Sequence, residues 1–339
     1  MKSLIVTILV TLSSSVYAIS EANYKAEYKE KILPVLNSYQ YGSFSGQKSL
    51  KINYATYASN TEASRCMVIL PGRSEPIQKY AEVVHSLDTG SLAGQFKYFL
   101  MDHRGQGSSA RMISKEAGDN QKGYVDEFEN YALDLKIFMD TVVAKAGCSE
   151  KVLLAHSLGA GISIDFMQRF PQYFERAALT SPMLKIQTAP YKYAVARAIV
   201  LANMTAGRGA KFAPGQKPFS GVRNFEANTF TSSLERYNMT MDTFEVFPEA
   251  KLGGVTNRWL NEVMSRTKHI RSLYGEIRIP LQVYHAGIES YSEPQEMIRI
   301  CDETPDCKRT FLPTSKHEVL MDRDVNRDVV ISGIEAFFK

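Results

Sequence analysis

Residues 152–161 read VLLAHSLGAG. Val152 to Ala155 form an apolar run short enough for a buried strand, and a helical pattern takes over from Gly161 to Phe170. Between them lies Ala155-His156-Ser157-Leu158-Gly159, a G-x-S-x-G sequence with alanine in the first place. A strand that turns sharply into a helix lifts a serine hydroxyl to the top of a sheet, and its neighbours must be small because bulky side chains would collide there. Ser157 is the only serine followed two residues later by glycine. It is the candidate nucleophile; the bland alternative is a structural turn serine.

The same alternation extends outward. Met67 to Leu70, Tyr98 to Met101, Ala177 to Thr180, Leu281 to Tyr284 and Thr310 to Leu312 read as further buried strands. Helical spacing fills 78–87, 125–146 and 294–301, most clearly through Phe128, Tyr131, Leu135 and Phe138. This pattern predicts an α/β fold, a mostly parallel sheet with helices on both faces, with an antiparallel edge supplied by residues before Met67. The alternation breaks once, across residues 185–278, which show helix and loop signals only. Tyr191, Val195 and Ile199 give one apolar stripe there, and Leu260, Val263, Met264 and Thr267 another. The expected organisation is a core of residues 19–184 and 279–339 with a helical cap inserted at 185–278.

With 40 basic and 36 acidic residues among 339, and no more than two basic residues adjacent, the chain lacks the basic stripe of a nucleic-acid binder. Residues 1–18 read as an export signal: Lys2 is the charged start, Leu4 to Leu12 the apolar run, and Val16 and Ala18 the small residues before a cut after Ala18. Nine apolar residues are too few to cross a bilayer core, which needs about 20. A periplasmic or secreted mature chain is expected, without a transmembrane segment.

A serine needs a base and an orienting acid, which follow it in this kind of strand-turn-helix arrangement in the order Ser, acid, His. Of six histidines, His317 alone sits in a polar loop just after a late strand, five residues past Leu312. The loop 286–293 after the preceding strand offers Glu289 and Glu293; Glu289 is nearer the strand tip, and Glu293, just before Pro294, suits a helix N-terminus. Glu289 is therefore preferred. For the oxyanion the candidate donors are the N–H groups of Leu158 and of Arg73, in the Pro71-Gly72-Arg73 loop after Met67 to Leu70. Gly105-Gln106-Gly107-Ser108-Ser109-Ala110 mimics a dinucleotide fingerprint, but no helix begins at once to hold a pyrophosphate. No cofactor is expected. The C-x5-C of Cys301 and Cys307 has no neighbouring Cys or His to complete a metal site.

Taken together, LPGRSEPIQKYAEVV (70–84), MDHRGQGSS (101–109), AHSLGAGIS (155–163), SPML (181–184) and KHEVLMDRD (316–324) resemble α/β-hydrolases of the lysophospholipase L2 and monoacylglycerol lipase type, which group with serine aminopeptidase-like hydrolases. FAPGQKPF (212–219), ERY (235–237) and LGGVTNRWL (252–260) are similar to lysophospholipase L2 in particular. The resemblance implies hydrolysis of single-chain lipid esters by Ser157, Glu289 and His317 under a cap. Ala155 replaces the usual glycine, and Glu289 stands where relatives often have aspartate. A peptidase or small-ester hydrolase on the same residues, and an inactive binding protein on the same fold, are the competing readings.

In this fold type the strands after Cys66 and Cys148 are neighbours, so the exported chain is expected to carry the disulfides Cys66–Cys148 and Cys301–Cys307. The cap is expected to form an acyl-chain channel, with Gly253-Gly254 as its hinge and Trp259 either facing substrate or packing the cap onto the body.

Overall fold

The structure is a computed structural model that describes residues 19–114 and 116–339; the expected export signal, residues 1–18, lies outside them. Two short helices, α1 (Tyr24–Glu27) and α2 (Leu33–Asn37), precede the sheet. Its strands are β1 (Gln40–Ser45), β2 (Lys51–Tyr57), β3 (Arg65–Leu70), β4 (Phe96–Met101), β5 (Glu150–His156), β6 (Arg176–Thr180), β7 (Leu281–Ile288) and β8 (Cys307–Lys316). They lie in the order β1-β2-β4-β3-β5-β6-β7-β8. β1 and β2 form the antiparallel edge, and every pairing from β4 to β8 is parallel.

The period-two alternation of the central strands sorts the core onto two faces. Val68, Leu70, Leu153 and Ala155 pack with Phe138 of α4 (Glu129–Thr141) and Phe166 of α5 (Ser157–Arg169). Met67, Ile69, Val152 and Leu154 face the other way, onto Val83 of α3 (Ala81–Thr89) and Ile334 of α10 (Asp324–Phe338). Because β3 and β5 are neighbours, Cys66 and Cys148 meet at the end of the sheet opposite Ser157, with Cα atoms 5.7 Å apart, and are disulfide-bonded. Cys301, on α9 (Pro294–Glu303), is bonded to Cys307 at the start of β8. β8 is a sheet edge, and Lys308, Arg309 and Pro313 are exposed along it.

Between β6 and β7 the chain forms α6 (Tyr193–Thr205), α7 (Leu234–Val246) and α8 (Asn257–Arg271), and no named strand. Two features of this insertion differ from expectation. Of the stripe Tyr191, Val195 and Ile199, the first two are exposed and Ile199 is half-buried, while Val200 is the buried residue of α6, because that helix rests on α8 through Arg197 bonded to Asn261 and Ser265. The Gly253-Gly254 pair is pinned rather than free. Gly253 N–H donates to Gln121 O (2.7 Å) and Gly254 N–H to Lys217 O (2.8 Å), and a Cβ on Gly253 would lie 2.7 Å from Phe219 N. Close approach of three segments explains the glycines.

Two side chains fix the insertion to the body. Trp259 is buried, and its indole N–H donates to the Tyr131 hydroxyl (3.3 Å). Arg236 of α7 is completely buried in an ionic cluster, with Nε 3.0 Å from Glu82 of α3 and Nη1 2.9 Å from Asp324 at the start of α10. Its Nη2 donates to Ile19 O (3.0 Å), and Arg327 Nε lies 3.3 Å from the same Glu82 oxygen. Burial disfavours the Glu82 carboxylate, yet the two guanidinium groups and the Tyr24 hydroxyl hold its pKa below the ordinary value.

Candidate active site

Three parallel strands deliver the site from their C-terminal ends. β5 ends at His156, and α5 starts at Ser157, whose φ of +48° lies in the left-handed region. A non-glycine residue held there is strained, by about 1–2 kcal/mol. Tight packing enforces the turn: a Cβ on Gly159 would lie 2.5 Å from the carbonyl oxygens of Leu70 and Pro71, and one on Gly161 2.7 Å from Met183 O. The small residues in the motif are there because the loop that begins at Pro71 and the segment after β6 press on the elbow.

His317 follows β8, and its Nε2 is 2.8 Å from Ser157 Oγ. Its Nδ1 is 2.7 Å from Glu289 Oε2, just past the tip of β7. A carboxylate only accepts, so Nδ1–H is the donor and Nε2 is left to accept the serine O–H. Burial raises the Glu289 pKa, but His317 and the backbone N–H groups of Tyr291 (2.7 Å) and Ser292 (3.2 Å) outweigh it and hold the carboxyl below its usual range. Glu293 instead precedes α9 as its N-cap. Ser181, at φ +42°, donates its hydroxyl to His317 O (2.7 Å). The His317 ring is covered by Tyr291 (centroids 4.8 Å), which is stacked on Phe230 of the insertion (5.3 Å).

The Pro71-Gly72-Arg73 loop is fixed from several sides. Gln106 donates to Gly72 O (2.8 Å), His103 Nε2 meets Pro71 O (3.0 Å), and Arg73 Nη1 donates to Gly253 O of the insertion (2.9 Å). Leu158 is the second residue of α5, so its N–H has no partner within the helix. The glycine-rich 105–110 loop wraps Asp102, whose carboxylate takes the Ser108 N–H (2.8 Å). It buttresses the site, and no helix follows it directly.

Beneath these groups lie residues that the sequence did not single out. Glu75 accepts from Gly72 N–H (2.6 Å), Tyr80 O–H (2.7 Å) and Lys79 Nζ (2.5 Å), and Lys79 also pairs with Glu318 (2.7 Å), the residue after His317. All four are buried. Burial pushes the Glu318 carboxyl up against the pull of Lys79, while Lys79 and the Tyr80 hydroxyl hold Glu75 well below the usual range despite its own burial. His156, whose ring lies 5.0 Å from that of His317, is held down to about 4 chiefly by burial and is neutral near pH 7. The available signal was Glu75 and Lys79 at i, i+4 spacing, but Glu75 falls in the loop before Pro76, where that spacing says nothing about burial.

The model of the serine aminopeptidase, S33, family matches residues 61–324. Over 309 residues the chain is 26% identical to a probable lysophospholipase L2 of Haemophilus influenzae, covering 91% of this chain and 94% of that protein. It is 27% identical to lysophospholipase L2 of Escherichia coli K12 over 305 residues, 87% and 86% of the two chains. Among solved structures, a soluble variant of monoglyceride lipase from Saccharomyces cerevisiae aligns with a TM-score of 0.68 at 16% identity, over 88% of this chain and 94% of that one. A carboxyl esterase from Bacillus coagulans aligns at 0.70 and 16%, over 89% and 98%. The α/β-hydrolase fold is thus shared with these structures, and the matched family model spans the elbow, the insertion and the loops carrying Glu289 and His317: the chain belongs to the serine aminopeptidase S33 family.

Proposed function

We propose that this chain is a serine hydrolase that cleaves carboxylic esters of single-chain lipids, lysophospholipids or monoacylglycerols, through an acyl-enzyme on Ser157. The observation that carries the reading is the continuous relay from Ser157 Oγ through His317 to Glu289, at 2.8 and 2.7 Å. His317 takes the serine proton as Oγ attacks the ester carbonyl, and the ionised Glu289 stabilises the imidazolium that forms. The Arg73 and Leu158 N–H groups are the proposed donors to the oxyanion. His317 then protonates the departing alcohol, and water, deprotonated by the same ring, releases the fatty acid. The residues between β6 and β7 act as a cap that shapes an acyl-chain channel, and activity rises with acyl length until the channel is full, each CH₂ contributing about 0.8 kcal/mol. The lysophospholipase relatives support the lipid substrate, and the two disulfides support export by residues 1–18 to an oxidising compartment. The family's aminopeptidase description favours a peptidase as the second reading.

The test is fluorophosphonate labelling followed by a panel of lysophospholipids, monoacylglycerols and aminoacyl esters. Ser157→Ala or His317→Ala is expected to remove labelling and up to about 10⁶ of kcat, and Glu289→Gln to cost less. Faster turnover of aminoacyl than of acyl-glycerol esters would replace the lipid reading with the peptidase one. A crippling Glu293→Gln beside a mild Glu289→Gln would reassign the acid.

A further inference from the structure

The two N–H groups proposed as oxyanion donors are held in different ways. Leu158 N–H belongs to the first turn of α5, so the helix itself aims it. Arg73 N–H belongs to a loop whose next residue, Ser74, stands at a φ of +64°, which a non-glycine residue keeps only where its surroundings enforce it. That loop lies against the elbow on both sides of Ser157. A Cβ on Gly159 would lie 2.5 Å from Pro71 O, and a Cβ on Gly72 would lie 2.9 Å from His156 Cδ2. Within the loop, the Pro71–Gly72 peptide is held at both ends, its oxygen by His103 Nε2 (3.0 Å) and its N–H by Glu75 Oε2 (2.6 Å). Gly72 N–H is thereby spent and does not serve an oxyanion. The Gly72–Arg73 peptide is held at one end only: Gln106 Nε2 donates to Gly72 O (2.8 Å), and among the described residues Arg73 N–H has no hydrogen-bond partner.

A trans peptide is planar, with its C=O and N–H directed oppositely, so a donor that fixes the oxygen fixes the line along which the N–H points. The same hydrogen bond draws electron density toward the carbonyl oxygen and makes the N–H a stronger donor. Gln106 is built to hold still while it does this. Its side chain is buried, and it lies between Gly105 (φ +76°) and Gly107 (φ +54°) in a turn closed by Gln106 N–H on His103 O (3.2 Å) and Ser109 N–H on Gln106 O (3.1 Å). A Cβ on Gly107 would overlap the Asp102 carboxylate, which takes Ser108 N–H (2.8 Å) and Ile77 N–H (3.1 Å) and so locks the turn from inside. We infer that Gln106 is a positioning residue of the oxyanion hole, setting the direction and strength of the Arg73 N–H through the Gly72–Arg73 peptide. The inference rests on the acyl-enzyme reading and deepens it, and it gives the 105–110 motif a part in the chemistry although the motif binds no dinucleotide.

The test compares the wild-type chain with Gln106→Met, which keeps the length but cannot donate, and Gln106→Glu, which keeps the shape and cannot donate while ionised. For each, kcat and KM are measured on the ester that wild type turns over fastest, together with the Ki of an alkyl trifluoromethyl ketone, which adds to Ser157 as a tetrahedral oxyanion. In Gln106→Met kcat is expected to fall about 10–100-fold, less than the loss of a donor outright, with KM within about twofold of wild type and the ketone Ki raised by the same factor as kcat/KM falls. In Gln106→Glu the deficit relative to wild type at the same pH should shrink as pH falls and the introduced carboxyl gains a proton to donate, a rescue that a purely structural role does not produce. Thermal unfolding of the same samples reports the folded fraction. A kcat near wild type in both variants, a loss carried by KM, a ketone Ki that stays constant while kcat falls, or loss of the folded state in both variants would overturn the positioning role. Wild-type protein that turns over no ester and takes no fluorophosphonate label would instead overturn the acyl-enzyme reading, and the inference with it.

Discussion

The chain buries two knots of charge a few residues apart in sequence, and they are balanced differently. Glu82, Arg236, Arg327 and Asp324 sum to zero, and they join α3, α7, α10 and the backbone of Ile19. Glu75, Lys79 and Glu318 sum to one negative charge, and they join the Gly72 N–H to the residue after His317. The neutral knot holds pieces of the molecule together. On the proposed mechanism the unbalanced one lies where a positive imidazolium forms, so its surplus charge favours the transition state more than the resting state. Burial strains it for the same reason, as the raised Glu318 carboxyl shows.

Removing Arg236 is the strongest way to break this contrast. Arg236→Ala leaves Glu82 buried with Arg327 alone, and a loss of about 3–5 kcal/mol in unfolding free energy is expected. Thermal and denaturant unfolding measure it, and kcat per folded molecule should change little. Next comes Glu318→Gln, expected to lower kcat roughly tenfold while unfolding free energy stays within about 1 kcal/mol of wild type, because Lys79 keeps its pairing with Glu75 and the carboxylate removed is one that burial disfavours. A variant that loses stability and keeps its kcat would make the two knots alike.

Acidification separates them further. Glu318 in the folded chain takes its proton above the ordinary glutamate range, so as pH falls it adds to stability while its charge leaves the site. Glu82 has the opposite sign: its contribution is complete above the unfolded glutamate range and is lost as pH falls through its lowered folded pKa. Activity should therefore decline at a higher pH than the α7 contact loosens, read as kcat/KM against hydrogen exchange at α7. The part of the acid limb due to Glu318 should vanish in Glu318→Gln. The smallest expected effect is Trp259→Phe, which removes one buried hydrogen bond to Tyr131 and should cost about 1 kcal/mol, leaving both knots intact.

Neither knot was legible in the sequence, although much else was. Five of the six strands announce themselves because a buried apolar run short of helix length has few alternatives, and the elbow because only small residues survive its contacts. The sixth, Thr310 to Leu312, was expected to be buried but lies in the edge strand β8 with Phe311 exposed, because no further strand covers it. Order along the chain singled out His317 and Glu289, which the structure brings into hydrogen-bonding range of each other and, through His317, of Ser157. Charged residues give no such signal: nothing in the sequence marks Glu75, Lys79, Glu82 and Arg236 as buried, and partners as far as 245 residues away in the chain help make that burial possible. The outward turn of Tyr191 and Val195 was hidden likewise, since periodicity marks a face without saying what covers it.

The free edge at β8 has a consequence for behaviour at high concentration. Exposed edge strands are templates on which another chain can add a strand and seed aggregation. Here Pro313 has no N–H to offer an incoming strand, and Lys308 and Arg309 set like charges along the border for a second copy to meet. The register shift between Ala286 and Ile288, where β7 passes Pro313, bends the border out of the flat geometry that stacking requires. An eight-stranded sheet is thereby closed to self-templating on this side by three inexpensive residues.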